Sequence, residues 1–195
     1  MNYKNALKKL KKGNKRFVDS TQINHDHGIT LNETLVASQK PFSVILTCSD
    51  SRVGPGEIFD AKLGDLFIIK NAGNIVSKSV LATMEYAVAK LNVKLIVVLS
   101  HQNCGAVKYA KKHPETNLEK DKNLDFLLHQ IRYVLANNVT LTTRKITKAN
   151  ADHSAELIVE NSIIIADKVK KGDVKIVTGF YKIATGKVSF NKLKN

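Results

Sequence analysis

A chain of 195 residues, 43% of them apolar, has the size of one ordinary domain and enough apolar surface to rule out wholesale disorder, and no apolar run approaches the ~20 residues that cross a bilayer. The formal charge of +14 is large, but the basic residues are overwhelmingly lysine, with arginine only at positions 16, 52, 132 and 144. The lysines are spread along the chain apart from one denser patch at Lys4, Lys8, Lys9, Lys11, Lys12 and Lys15; bidentate readout of bases or phosphates favours arginine, so the charge reads as a solvated cationic surface, without nucleic acid or membrane as partner.

From the N-terminus, residues 3–18 place Tyr3, Ala6, Leu7 and Leu10 on one face and lysines on the other, an amphipathic helix whose stripe must dock on its own core or on a partner subunit. Gly13 is expected to weaken, end or bend it. Residues 19–28 form a polar loop in which His25 and His27, without further ligands nearby, read as solvated. Thr30 with Glu33 has the pattern of a capping box opening a short helix to Ser38. Phe42–Thr47, bounded by Pro41, is a buried parallel strand, and Gly54, Pro55 and Gly56 break the chain after it. A second strand, Leu66–Lys70, ends in the turn Asn71-Ala72-Gly73-Asn74. Residues 76–91 carry Val80, Leu81, Met84, Ala87, Val88 and Leu91 at helical spacing, Leu95–Leu99 is a third strand, and Gly105–Lys112 continues as a short helix.

Residues 113–122 read as a loop, 124–136 as a helix, and the Thr-rich stretch 137–148 as a surface connection. A long helix follows over 151–171, stopped by Gly172. Val174–Thr178 is a fourth strand, and the turn Thr185-Gly186 leads to an edge strand over 187–190. Strands alternating with helices define an α/β fold with a mostly parallel central sheet of four to five strands flanked by helices. Without repeat or linker, residues 1–195 form one domain, with 1–38 as an N-terminal helical arm expected to form a dimer. The lysine-rich start lacks the apolar stretch of a secretory signal, which places the protein in the cytoplasm.

Sites in such sheets lie at the carboxyl ends of strands. The two cysteines of the chain both stand there: Cys48-Ser49-Asp50-Ser51-Arg52-Val53 follows the first strand, and Ser100-His101-Gln102-Asn103-Cys104-Gly105 follows the third. Taken singly, each cysteine reads as a small buried hydrophobe. Together Cys48, His101 and Cys104 are a Cys₂His set of the kind that holds catalytic zinc and leaves a fourth position for water. Asp50, two residues from Cys48, can bind the metal or accept a hydrogen bond from its water, and Arg52 can hold that carboxylate bidentately and keep it ionised. The bland reading of Asp50 and Arg52 is a turn with a surface ion pair, worth ~0–1 kcal/mol.

These two stretches resemble the signature of the β-class carbonic anhydrases, in their plant-type subgroup. The likeness extends through Gly13-Asn14-Lys15-Arg16-Phe17, Gln39-Lys40-Pro41, Gly64-Asp65-Leu66-Phe67, Asn71-Ala72-Gly73-Asn74, Glu85-Tyr86-Ala87-Val88, Tyr181, Thr185-Gly186 and Val188. It implies zinc-dependent reversible hydration of carbon dioxide to bicarbonate and a proton by attack of zinc-bound hydroxide. Cys48, His101 and Cys104 are the implied Zn²⁺ ligands and Asp50 with Arg52 the implied catalytic dyad, Asp50 becoming a fourth ligand in a closed, inactive state. Gln39, Phe67 and Tyr86 match substrate-pocket positions, the glutamine coming from the neighbouring subunit of a homodimer or higher even oligomer, and Gly73 and Gly105 shape the pocket wall. Two positions depart from the family pattern: Ser100 replaces a usual glycine and would tighten the pocket or alter its turn, and Lys70 replaces a common arginine. Three alternatives stand beside this reading: a related zinc hydrolase acting on COS or CS₂, a zinc-stabilised cationic binding protein, and a redox pair of Cys48 with Cys104.

Overall fold

The computed structural model describes residues 1–24, 33–114, 122–137 and 140–192. Its centre is β1 (Ser43–Cys48), every residue of which is buried, as a continuous apolar run requires. β1 lies between β2 (Leu66–Asn71) and β3 (Leu95–His101), followed by β4 (Lys175–Lys182) and β5 (Lys187–Lys192), giving the order β2-β1-β3-β4-β5. The first four strands are parallel and β5 returns antiparallel to β4. Val44 stands opposite both Phe67 of β2 and Ile96 of β3, so the carboxyl ends of β1 and β3 finish side by side.

One face of the sheet is covered by α1 (Tyr3–Val18), whose Ala6 and Leu10 pack with Ile45, Phe59, Leu95 and Leu99. The apolar stripe of α1 therefore docks on its own core. Gly13 neither ends nor bends this helix. It is buried where α1 meets α3 (Pro55–Ile58), and a Cβ there would overlap the carbonyl oxygen of Phe59. Alanine is the better helix former by about 1 kcal/mol, but overlap with a backbone atom outweighs that gain. Gly13→Ala is thus expected to destabilise the protein by about 1–3 kcal/mol, read as a lower urea midpoint at unchanged slope. Next to it Asn14 is fully bonded: its Nδ2 donates to the carbonyls of Ile58 and Gly186, and its Oδ1 accepts from the N–H of Val188. Arg16 and the N–H groups of Ile23 and Asn24 surround the buried Asp60, holding its carboxyl below the usual range although burial pulls the other way.

α4 (Lys78–Ala89), α7 (Thr143–Asn161) and α8 (Ile163–Lys170) cover the opposite face, with Met84, Ala87, Val88, Ala155 and Ile158 against Val44, Leu46, Ile96 and Val98. α5 (Gly105–Lys112) and α6 (Lys122–Ala136) close a third cluster over the carboxyl ends of β1 and β3, where Val107, Leu128, Ile131 and Ile146 pack around Cys48 and Cys104.

Several expectations are corrected. The stretch 137–148 is not a surface connection throughout: α7 begins at Thr143, capped by the Thr142 side chain, and buries Ile146 and Thr147. The helix expected over 151–171 breaks at Ser162, whose extended backbone ends α7 and whose Oγ accepts from Ile165 N–H to cap α8 while donating to Glu85 at 2.6 Å. The Gly-Pro-Gly break holds one turn of helix, α3, with Pro55 at its first position, where its missing N–H costs nothing. Gly172, at φ +75°, ends the last helix as expected. The loop histidines His25 and His27 and the start of the proposed capping box at Thr30 lie outside the described residues, which resume in α2 (Glu33–Ala37).

Candidate metal centre

Cys48 is the last residue of β1 and His101 the last of β3, and these strands are neighbours. Asn103, in the left-handed region at φ 59°, turns the chain so that Cys104, at the N-cap of α5, comes back to the same spot. One ligand atom from each of Cys48, His101 and Cys104 lies within 4.8 Å of the others, all three residues are buried, and the two sulfurs are 4.0 Å apart. Both thiols are free.

The imidazole is oriented by its neighbour. Nδ1 of His101 lies 3.0 Å from the Gln102 carbonyl oxygen, which can only accept, so Nδ1 carries the proton and Nε2 presents its lone pair. That Nε2 is buried and has no hydrogen-bond partner among the described residues. An unmet buried acceptor facing two sulfurs is unfavourable in itself and fits a cation of the borderline-soft kind that takes N and S ligands, such as zinc.

The sulfurs are electrostatically unequal. The two thiols share one hydrogen bond, in which either sulfur can be the donor, and this sharing lowers the Cys48 thiol against the opposing effect of burial, with the N–H of Gly73 adding to the effect. Cys104, through the same contact and then through burial, is pushed far up. A cation bound here would displace the proton that the two sulfurs share. Gly73 N–H lies 3.3 Å from Cys48 Sγ and reaches it from a tight turn over 72–74 in which Gly73 has φ +77°. A Cβ on Gly73 would meet Ile131 Cδ1 at 2.7 Å, a side-chain end that can yield, so it is the left-handed backbone that favours glycine here.

Asp50 and Arg52 close the mouth of the site. Asp50 Oδ1 accepts from the Arg52 backbone N–H at 3.0 Å and from Nε at 2.9 Å, and Oδ2 accepts from Nη2 at 2.8 Å. This fork holds the Asp50 carboxyl well below the usual carboxylate range in spite of partial burial. Oδ2 also stands 3.9 Å from His101 Nε2, so the carboxylate faces the ligand set while held by Arg52. Lys70 braces this loop, its Nζ donating to the Val53 carbonyl at 2.8 Å. Ser100 does not intrude on the site: its hydroxyl donates within the sheet to the Gly179 carbonyl at 3.0 Å.

The remaining pocket candidates divide. Gly73 adjoins Cys48, and Gly105 directly follows Cys104, with open space where a Cβ would stand. Phe67 and Tyr86 pair with each other, ring centroids 6.3 Å apart, on β2 and α4. Phe67 pairs with Val44, four residues back from Cys48, or ~13 Å along the strand. Gln39 is exposed and precedes the amino end of β1, whereas Cys48 ends it. A single chain therefore brings Gln39, Phe67 and Tyr86 to a different part of the sheet from Cys48, His101 and Cys104.

Two residues of the site's surroundings escaped the sequence reading. Asn150 Nδ2 donates to the Gly73 carbonyl at 2.8 Å, and Ser154 Oγ donates to the Asn74 carbonyl at 3.0 Å. Both are on α7. Their one available signal was their spacing, since Ile146, Asn150, Ser154 and Ile158 recur every four residues along its buried face.

The fold is an α/β domain with a Cys₂His cluster, able to hold a metal ion, at the carboxyl ends of two adjacent parallel strands. A family model described as carbonic anhydrase matches residues 43–188. The carbonic anhydrase of Mycolicibacterium smegmatis is 32% identical over 186 residues, covering 94% of this chain and 90% of that protein. Carbonic anhydrase 2 of Mycobacterium tuberculosis is 48% identical over 105 residues, or 54% of this chain and 51% of that one. Among solved structures, a tetrameric β-carbonic anhydrase of Sordaria macrospora matches with a TM-score of 0.73 at 24% identity, covering 95% of this chain and 96% of its own. The Coccomyxa β-carbonic anhydrase, solved with acetazolamide, matches with a TM-score of 0.72 at 25% identity, covering 91% and 82%. The chain belongs to the β-carbonic anhydrase family.

Proposed function

We propose that the chain catalyses the reversible hydration of carbon dioxide to bicarbonate and a proton, with zinc held by Cys48, His101 and Cys104 and with Asp50 and Arg52 as the working dyad. The observation that carries this reading is the bare, buried Nε2 of His101 facing two sulfurs, with a carboxylate fixed beside it. Zinc, when bound, supplies Lewis acidity that brings the pKa of water towards ~7. Asp50, ionised and acceptor-only and held in place by Arg52, would orient a hydroxyl proton away from the attacking lone pair. Arg52 occupies the lone pairs of Asp50 that face it and so fixes which direction remains open. Gly105, without a side chain, leaves room next to Cys104 for a small linear substrate.

The working unit in this proposal is a homodimer or higher even oligomer. β2 is an edge strand, and Ile68, Tyr86 and Leu63 on or near it are 43%, 50% and 68% exposed, as are Leu35 and Val36 of α2 at 46% and 80%. A second copy covering this face would bury those side chains and bring Gln39, Phe67 and Tyr86 towards the neighbour's metal centre. Among the described residues no helix is long and apolar enough to cross a membrane. Stopped-flow CO₂ hydration by zinc-loaded protein tests the activity, and light scattering on the same sample tests the assembly. Stoichiometric zinc without hydration would overturn the first, and a monomer at assay concentration the second.

A further inference from the structure

Gly73 is the least restrained kind of residue at the place where restraint matters most. Its N–H must point at the Cys48 sulfur, yet without a Cβ the two peptide planes on either side of its Cα pivot freely. The plane on the far side is tied down by Asn150, 1% exposed, whose Nδ2 donates to the Gly73 carbonyl at 2.8 Å. The Oδ1 of Asn150 has no hydrogen-bond partner among the described residues, so the amide is buried with only half its capacity used. Stability alone does not favour that arrangement. The bond it does make reaches one residue, and that residue donates to the metal-ligand sulfur.

We propose that Asn150 is a positioning residue for the metal centre: by clamping the Gly73 carbonyl it aims the Gly73 N–H at Cys48 and so sets the position of that sulfur and the hydrogen bond it accepts. The proposal rests on the reading of Cys48 as a metal ligand. A thiolate that accepts an N–H bond is less basic and less free to move than one that does not. Loosening the turn would raise the electron density on sulfur and spoil the ligand geometry together. Ser154 provides an internal comparison. It sits one helical turn along α7, is equally buried, and holds the next carbonyl, that of Asn74, which lies one residue further from the N–H that reaches sulfur.

The test uses full-length protein with Co²⁺ as the probe metal, comparing the parent, Asn150→Ala and Ser154→Ala. Metal affinity is read by chelator competition and the sulfur by the thiolate-to-cobalt charge-transfer band. Asn150→Ala is expected to bind Co²⁺ about tenfold or more weakly, with the band moved to lower energy. Ser154→Ala is expected to lower the melting temperature while keeping the affinity within about twofold, a ratio worth less than ~0.5 kcal/mol, and leaving the band in place. Asn150→Ser, which creates a smaller void and cannot span the distance to Gly73, gives the same readout should the alanine variant not fold. Parental affinity and band in the Asn150 variants would overturn the proposal, as would equal changes in Ser154→Ala. Failure of the parent itself to bind Co²⁺ would strike instead at the ligand reading of Cys48.

Discussion

Cys104→Ser is expected to abolish detectable CO₂ hydration and to weaken zinc binding by about two orders of magnitude. The size follows from apparent binding energies of ~10–16 kcal/mol for four-ligand zinc sites, or ~3 kcal/mol per ligand, which is about a hundredfold. Serine is close in volume to cysteine, so the buried cluster of Val107, Leu128 and Ile131 around residue 104 stays packed, and the loss is chemical rather than structural. The hydroxyl stays protonated where a thiol would ionise, and it offers a hard oxygen in place of a soft sulfur. A second readout separates metal loss from misfolding. In the parent a bound zinc would satisfy the unmet Nε2 of His101 and so stabilise the folded state. At a hundred times the dissociation constant that linkage is worth ~2.7 kcal/mol, and in a domain of this size it raises the melting temperature by roughly 5–10 °C. Chelator should remove this increment from the parent and leave Cys104→Ser unchanged. Full activity in the serine variant, or a melting temperature of the parent indifferent to chelator, would remove Cys104 from the ligand set.

The ligand set was legible in the sequence because strong signals coincided. Two short, mostly apolar runs rich in β-branched residues read as buried strands, and a polar motif carrying Cys or His follows each. Adjacent parallel strands then bring their carboxyl ends together by topology alone. The support behind the site was not legible, for a physical reason. α7 buries Asn150 and Ser154 in the same row as Ile146 and Ile158, so the helix shows little amphipathic contrast and its first half reads as a polar connection. Those polar side chains are buried because they bond the carbonyls of Gly73 and Asn74, and that need exists only in the folded chain. Gly13 shows the same limit. As a residue type it signals a helix breaker, whereas in the fold it marks where the Phe59 carbonyl meets the helix backbone. Phe67 and Tyr86, expected at the substrate pocket, instead pair with each other at an edge of the sheet remote from Cys48 in the same chain.

Arg52→Ala is expected to cut CO₂ hydration by about a hundredfold at pH 7–8 while zinc remains bound, a loss comparable with that from Asp50→Asn. The cause is position rather than charge. Arg52 holds the Asp50 carboxyl below its ordinary value of 3.8, and without Arg52 that carboxyl returns towards it, still fully ionised at neutral pH. What is lost is the fork that holds Asp50 beside the ligand set without letting it join that set. A free carboxylate 3.9 Å from the bare Nε2 of His101 can turn onto that set and take the position that substrate chemistry requires. Arg52→Lys should rescue little, because an ammonium cannot reproduce two parallel N–H bonds. The stability profile carries the sign of the interaction. Since Asp50's folded pKa lies below its unfolded one, the dyad stabilises the protein fully above the unfolded value, and that contribution is lost as pH falls through the folded value. Parent and Arg52→Ala should therefore differ by a constant amount in unfolding free energy above pH ~5 and converge only in strong acid. An Arg52→Ala enzyme that holds zinc and works within threefold of the parent would show that Asp50 needs no tether.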